Sequence, residues 1–367
     1  MPDEPRREKT LPSWLLPTPA RRGERAGPPL REFTLRLMRG EDLRREEASA
    51  LLDALLDVTA TDAQIGAALV ALAVKGETVE ELAGLASSMR GRAVRINARH
   101  ERFVDTAGTG SSAAKTFNVS TAAAFVIAGA GLPVAKHGSR AATSRSGSAD
   151  VLTALGVNVA VPPEVSETCL NELGVCFMFA PLYHGATARV AGVRRELGVH
   201  TTFNLLGPLT NPAGAPRQVI GVWHEALVEP LAHTLAALGS ERAWVVHGLD
   251  GLDEVTIAAR TKVAEVADGE VRVFEVGPED FGLESAPLES LRGGDAEANA
   301  SIIRSILSGG RRDAGRALVC ANAAAALYVG GAAGELKEAA RLAAESIDGG
   351  AALAKLEGLV RASKGWG

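Results

Sequence analysis

Four short segments gather the residues able to do chemistry. The first, Asp105-Thr-Ala-Gly-Thr-Gly-Ser-Ser-Ala-Ala-Lys-Thr-Phe-Asn-Val-Ser-Thr121, is built mostly from small residues. Gly108 and Gly110 let the main chain come close to a ligand, while Thr109, Ser111, Ser112, Asn118, Ser120 and Thr121 offer hydroxyls and an amide. Amides at the start of a following helix favour phosphate. The segment has neither the Gly-Lys-Ser/Thr of a P-loop nor a dinucleotide GxGxxG. Two readings therefore stand, an anion-binding loop and a plain strand-to-helix turn. The second segment is Val134-Ala-Lys-His-Gly-Ser-Arg140, followed by Ser144-Arg-Ser-Gly-Ser-Ala-Asp150. A strand ending in Lys136, His137, Gly138 and Arg140 places cations and ring donors at the carboxyl edge of a sheet, where open α/β folds bind ligands, and a polyanion is the matching guest. Ser144, Ser146 and Ser148 precede a helix and read equally as holders of phosphate oxygens or as a capped loop.

The third segment runs from Tyr183-His184 through Arg194-Arg-Glu-Leu-Gly to Thr202-Phe-Asn-Leu-Leu-Gly-Pro-Leu-Thr-Asn-Pro212. A lone histidine is more often structural than catalytic, and an arginine on a helix is usually solvated. In the fourth, His247-Gly-Leu-Asp-Gly-Leu-Asp-Glu254, a strand delivers the adjacent carboxylates Asp253 and Glu254 into a glycine-containing loop. Hard oxygen ligands of this kind suit magnesium shared with substrate phosphates. A solvated acidic turn is the plain alternative.

The elements that must carry these segments follow from periodicity. From about Glu32 to Arg92 the spacing is helical, with Leu43, Leu51, Leu52, Leu55 and Leu56 forming an apolar stripe. Thr61-Asp-Ala-Gln64 and Thr78-Val-Glu-Glu81 have capping-box form and mark two more helix starts. Strands are then expected at Phe103-Val104, Leu132 to Ala135, near Val157, Cys176 to Phe179, Val219 to Val222 and Ala243 to Val246. Helices are expected after Asn118, from Ser148, and at Ala186 to Leu197, the last packing back on the first domain. Such alternation gives a mostly parallel sheet covered by helices. Val255 to Ala258 and the flanks of Asp268-Gly269 read as antiparallel additions, the Asp-Gly pair being a two-residue hairpin turn. Helices dominate from about Ala298 onward.

Composition bounds the rest. The 367 residues make room for two domains or one large elaborated one. With 46% hydrophobic and 23% charged residues the chain can bury a full core. Thirty-nine Lys and Arg against 44 Asp and Glu give a net charge of −5, which offers no general attraction to nucleic acid or anionic membranes. Cys169, Cys176 and Cys320 form no CxxC pair, which argues against a disulfide framework or a thiolate zinc site and fits a reducing cytoplasm. No apolar run reaches the roughly 18 residues of a membrane span, and the arginine pairs at Arg6-Arg7 and Arg21-Arg22 lack the apolar stretch of an export signal. Residues 1–30 hold seven of the 17 prolines among mixed charges and read as a flexible Pro/Arg-rich leader.

In order and spacing the four segments resemble the anthranilate phosphoribosyltransferases of tryptophan biosynthesis, relatives of the pyrimidine nucleoside phosphorylases. The likeness runs from about residue 35 to the C-terminus and is carried most by TFNVSTAAAF, VAKHG-R, SGSADVL-ALG, RRELG, TFNLLGPLTNP and VVHGLDGLDE. It implies a small all-helical domain (31–98, with a returning segment near 184–212) joined to a larger α/β phosphoribosyl pyrophosphate-binding domain (99–367) with a mostly parallel central sheet. It also implies transfer of a phosphoribosyl group from phosphoribosyl pyrophosphate to the amine of anthranilate, with magnesium, two ions in number, and a homodimer. Carried over by position, Gly108, Thr109, Gly110, Ser111, Ser112, Thr116, Asn118, Ser120, Thr121, Lys136 and Ser148 bind the donor. Ser120, Asp253 and Glu254 serve the metal. Gly108, His137, Ser139, His184, Arg194, Gly207 and Pro208 line the acceptor's path, and Lys136, His137 and Arg194 are the catalytic set, Arg194 gripping the acceptor carboxylate.

Four positions depart from the family pattern. Ser111-Ser112 stands where Gly-Asp is usual, Ser139 where Asn is usual in KHGNR, and His200 where an Arg is usual. Ser139 motivates an alternative acceptor, another aromatic amine or acid. The missing loop aspartate motivates a non-catalytic nucleic-acid-binding relative, against which the acidic balance and the Asp253-Glu254 pair both count. A nucleoside phosphorylase is disfavoured by Arg194 and the stretch from RRELG to LTNP.

Overall fold

The computed structural model describes residues 29–110, 114, 116–140 and 146–365. In chain order the helices are α1 (Pro29–Met38), α2 (Arg45–Leu56), α3 (Asp62–Lys75) and α4 (Val79–Arg92), then strand β1 (Val104–Asp105), α5 (Val119–Gly129), β2 (Val134–Gly138), α6 (Ser148–Ala154), α7 (Pro163–Thr168) and β3 (Val175–Phe179). There follow α8 (Ala180–Tyr183), α9 (Ala188–Leu197), α10 (Thr202–Leu209), β4 (Arg217–Gly221), α11 (Val228–Ala237), β5 (Arg242–Gly248), β6 (Thr261–Ala267) and β7 (Glu270–Val276). Helices α12 (Ala296–Leu307), α13 (Ala314–Val329), α14 (Leu336–Asp348) and α15 (Ala351–Lys364) complete the chain. Of the leader expected at 1–30, residues 1–28 lie outside the described residues, as do Ser111, Ser112 and Ser144, while Pro29 and Leu30 are not leader but the first residues of α1.

Two compact units emerge. Among the described residues the helical unit takes 29–92 together with Gly185–Leu206; the α/β unit takes Ala93–His184 and the described residues from Gly207 onward. Both expected capping boxes are present: Thr61 Oγ1 accepts from the Gln64 amide while Gln64 Oε1 accepts from Thr61 N, and Thr78 and Glu81 do the same. Within the helical unit α1 packs on α3 and α2 on α4. A Cβ at Gly84 of α4 would strike the Arg45 carbonyl, so only glycine lets α2 and α4 come this close. The returning helix α9 closes over α3, with Val193 and Leu197 against Gly66.

The α/β unit is a seven-stranded sheet in the order β3-β2-β1-β4-β5-β6-β7. The first five strands are parallel; β6 runs antiparallel to β5, and β7 antiparallel to β6. Asp268 and Gly269, both at positive φ, make the hairpin turn between β6 and β7. Helix α5 is apolar on all sides (VSTAAAFVIAG) and correspondingly buried, packed by α13, α14 and α15. The chain winds from β1 outward to β3 on one side, then returns to place β4 on the other side of β1. The strand order therefore reverses between β1 and β4, and the crevice beyond their carboxyl ends is where an open α/β sheet binds its ligand.

Two expected strands are absent. Residues 157–161 alternate buried and exposed as a strand would, but their amides go to side chains: Asn158 N donates to Ser363 Oγ and Ala160 N to Asn158 Oδ1. Val255 to Ala258 is also irregular. Asn322 of α13 holds Val255 through both its N–H and its carbonyl, Thr261 Oγ1 takes the Thr256 amide, and the antiparallel strand begins only at Thr261.

Candidate active site

The strand ends at the switch point are drawn together by glycines. The Thr109 amide and hydroxyl both donate to the Gly221 carbonyl at the end of β4, at 2.8 and 3.2 Å. A Cβ at Gly108 would lie 2.8 Å from that same carbonyl, and one at Gly221 would fall on the Asp253 carbonyl. The Gly108-Thr109 loop, the β4 terminus and the Asp253-Glu254 loop thus form three stacked layers with room for no side chain between them. Gly110 adopts a left-handed φ of 65° with open space around its Cα.

Lys136, on β2, is 4% exposed. Its Nζ donates to the Thr106 carbonyl and hydroxyl, each at 3.2 Å, and to Ser120 Oγ at 3.3 Å. Burial pulls the ammonium pKa down, opposed by attraction to Asp105 and Glu254. Ser120, in the first turn of α5, gives its amide to Glu254 Oε1 at 3.3 Å. A carboxylate therefore occupies the helix-start amide where the sequence points to a phosphate oxygen. Burial and the neighbouring Asp253 push Glu254 up to about 8. The hard oxygens of the two adjacent carboxylates fit magnesium. Among the described residues no group of three or more His, Cys, Asp or Glu assembles a complete cage, so a cation here would draw its remaining ligands from substrate oxygens and water.

The hydroxyl-rich start of α5 is locked from the other side. Asn118 Nδ2 donates to the Ser146 carbonyl, and its Oδ1 accepts from Ser146 Oγ and Asn299 Nδ2. Thr121 Oγ1 is buried without a protein partner. Ser148 Oγ donates to the Ser139 carbonyl, and Gly138 can have no Cβ because Ser148 Oγ and Phe177 fill the space. Thr116 forms an isolated bridge to Arg292, and its hydroxyl bonds to the Phe117 carbonyl.

His137 follows Lys136 and points to the opposite face of β2. Its Nδ1 lies 3.2 Å from the Gly207 carbonyl, which can only accept, so Nδ1 carries the proton and Nε2 a lone pair. Nε2 is buried without a protein partner. Burial and the nearby His184, with ring centroids 5.1 Å apart, lower His137 to about 3; burial lowers His184 to about 4. Both rings are neutral at physiological pH. Pro208 bonds through its carbonyl to Gln218 Nε2. In the helical unit Arg194 lies over Phe203, 5.3 Å from the ring centroid, and donates through Nη2 to Asn204; its Nε is buried and unbonded.

Asp105 and Thr106 at the head of the first segment, Asn211 near the end of the third, and Gly221 and Asn322 outside all four join the site although their residue types alone assign them no role there. Asp105 is fully buried and accepts from the amides of Ala107 and His137 and from Asn211 Nδ2. The one signal for it in the sequence is a carboxylate placed at the end of an apolar strand directly before the glycine loop. His247 bonds through Nδ1 to the Val222 carbonyl and braces β4 against β5.

Comparison with known proteins agrees with this architecture. Residues 31–93 match the helical bundle domain of a glycosyl transferase family, and residues 100–353 its a/b domain. An anthranilate phosphoribosyltransferase from Anaeromyxobacter dehalogenans (strain 2CP-C) is 54% identical over 331 residues, 89% of this chain and 97% of the relative. The crystal structure of anthranilate phosphoribosyltransferase from Thermus thermophilus superposes with a TM-score of 0.85 at 41% identity, covering 90% of this chain and 99% of that one. The Saccharomyces cerevisiae enzyme in complex with phosphoribosyl pyrophosphate and magnesium gives a TM-score of 0.84 at 27% identity, covering 92% and 98%.

Proposed function

The chain belongs to the anthranilate phosphoribosyltransferase family, and from that premise we propose how its own residues divide the work. The enzyme transfers the phosphoribosyl group of phosphoribosyl pyrophosphate to the amine of anthranilate, giving N-(5-phosphoribosyl)anthranilate and pyrophosphate for tryptophan biosynthesis. The observation that carries the assignment is the double engagement of Ser120, whose hydroxyl accepts from Lys136 while its amide donates to Glu254. A cation and a carboxylate pair thereby meet on one helix start beside a glycine loop, as a diphosphate donor requires.

The donor lies over Gly108 to Gly110, with Thr116, Asn118, Ser120, Thr121 and Ser148 around it. Asp253, Glu254 and Ser120 would hold the magnesium, two ions on this proposal, whose charge when bound would neutralise that of the departing pyrophosphate. As the bond from the anomeric carbon to pyrophosphate oxygen breaks, positive charge grows on the ribose and negative charge on the leaving group. Lys136, held in place by Thr106 and Ser120, stabilises the latter without having to reorganise. The aryl amine is a nucleophile at neutral pH, so positioning replaces a strong base. His137 Nε2 offers its lone pair to an amine N–H, and Ser139, His184, Gly207 and Pro208 line the acceptor's approach. The free Nε of Arg194 suits a carboxylate. A homodimer in the cytoplasm completes the proposal; no helix among the described residues is long and apolar enough to cross a membrane.

Mixing the protein with magnesium, phosphoribosyl pyrophosphate and a panel of aromatic amines tests the reading. Loss of anthranilate fluorescence with release of pyrophosphate is expected. Unchanged anthranilate fluorescence beside consumption of another amine would reassign the acceptor.

A further inference from the structure

β1 and β2 pair through only one register position, Val104 opposite Val134. Beyond it the two strands cease to share a backbone ladder, although their next residues carry the donor and acceptor groups. Side chains take over. Asp105 Oδ1 accepts from the His137 amide of β2 at 3.3 Å and from the Ala107 amide of the glycine loop at 3.0 Å. Its Oδ2 accepts from Asn211 Nδ2 at 2.7 Å. That same Nδ2 donates to the Ala135 carbonyl at 2.9 Å, and Asn211 Oδ1 accepts from Ala213 N.

We infer that Asp105 and Asn211 together form a positioning clamp that sets the acceptor-side loop, including Gly207 and Pro208, in register with the donor-side loop at Thr106 to Gly108. The inference rests on the reaction proposed above. His137 shows how the clamp works: Asp105 holds its main chain, Gly207 holds its ring, and Asn211 ties the segment after Gly207 back to Asp105. With Asp105 0% and Asn211 6% exposed, neither is placed to meet bulk solvent, and every side-chain polar atom of the pair is engaged within the protein. The pair touches no reacting atom. Its effect is exerted through His137, Lys136 and the two loops.

Exchange of the two residues gives the test. Asp105→Asn alone, or Asn211→Asp alone, mismatches donors and acceptors across the pair, and a misplacement of about 1 Å at a reacting centre costs on the order of 10²-fold in rate. Combined, Asp105→Asn with Asn211→Asp reverses the 2.7 Å bond, keeps one negative charge, and still accepts from Ala107, His137 and Ala213, while the new carboxylate faces the Ala135 carbonyl with no proton to share. Each single variant is expected to lose about 100-fold in kcat, and the exchanged protein to recover at least a tenfold part of that loss, a non-additivity that separates a geometric clamp from two independent structural residues. Asn211→Ala, which frees the acceptor-side loop alone, is expected to raise the KM for anthranilate more than that for phosphoribosyl pyrophosphate. Single variants with wild-type kinetics, a folded exchanged protein no better than the singles, or an Asn211→Ala enzyme whose KM for anthranilate rises no more than that for phosphoribosyl pyrophosphate, overturn the clamp. Wild-type enzyme inactive towards anthranilate in the same assay overturns the proposed reaction instead, so the two failures are distinct.

Discussion

Lys136 divides its three donor bonds between Thr106 and Ser120, so removing it strips charge from the leaving-group side without emptying a hydrophobic layer. Lys136→Ala is expected to cut kcat by at least about 10²–10³-fold, the usual effect of deleting one preorganised donor. Circular dichroism should show the fold retained. Asp253→Ala with Glu254→Ala is expected to abolish magnesium-dependent binding of pyrophosphate, read by calorimetry independently of turnover. His137 gives a pH signature. Its folded pKa of about 3 lies below the ordinary 6.5, so the unfolded chain binds the extra proton between those values. The stability gained from keeping the ring neutral is complete above about pH 6.5 and falls as the pH drops towards 3. His137→Gln should therefore narrow the difference in Tm between about pH 7 and about pH 5 relative to wild type. At this scale the segments that carry Lys136, Ser120 and Glu254 stand out in the sequence as small-residue and charged turns at strand ends, and the three side chains do meet. Asp105 and Asn211 do not stand out as a pair, because the two meet across a separation of 106 residues that no local pattern encodes.

The elements show where local patterns suffice and where they mislead. Capping boxes, the Asp268-Gly269 hairpin and the alternation of strand and helix are short-range phenomena and appear where the residues place them. Val157 to Val161 has the alternation of a strand without a neighbouring strand to bond, and Val255 to Ala258 is held by the α13 side chain Asn322. Pairing partners decide both cases, and periodicity carries no information about partners. The layering at Gly221 yields a prediction of its own. Gly221→Ala must displace the Asp253 carbonyl, and overpacking of this kind costs about 1–3 kcal/mol. Denaturant titration should show that loss, accompanied by a higher magnesium requirement for turnover, because the loop being pushed is the one that carries the two carboxylates.

At the scale of the molecule, the division into a helical and an α/β unit follows from a change in periodicity near Arg92. That the helical unit also claims Gly185–Leu206 is visible as a helical stretch interrupting the strand-helix alternation. The contact of α9 with α3 through Gly66, Val193 and Leu197 has a measurable consequence. A fragment spanning residues 29–92 keeps α1 to α4 but uncovers that apolar seam, and it should be less cooperative in thermal unfolding than the same helices in the intact protein. The seam also sets a schedule for biosynthesis. Between the emergence of α4 and the arrival of Gly185 a ribosome needs roughly 5–20 s. For that interval the nascent helices wait with an uncovered stripe at Gly66, an opening for chaperone capture that ends only when the later stretch of chain arrives to cap it.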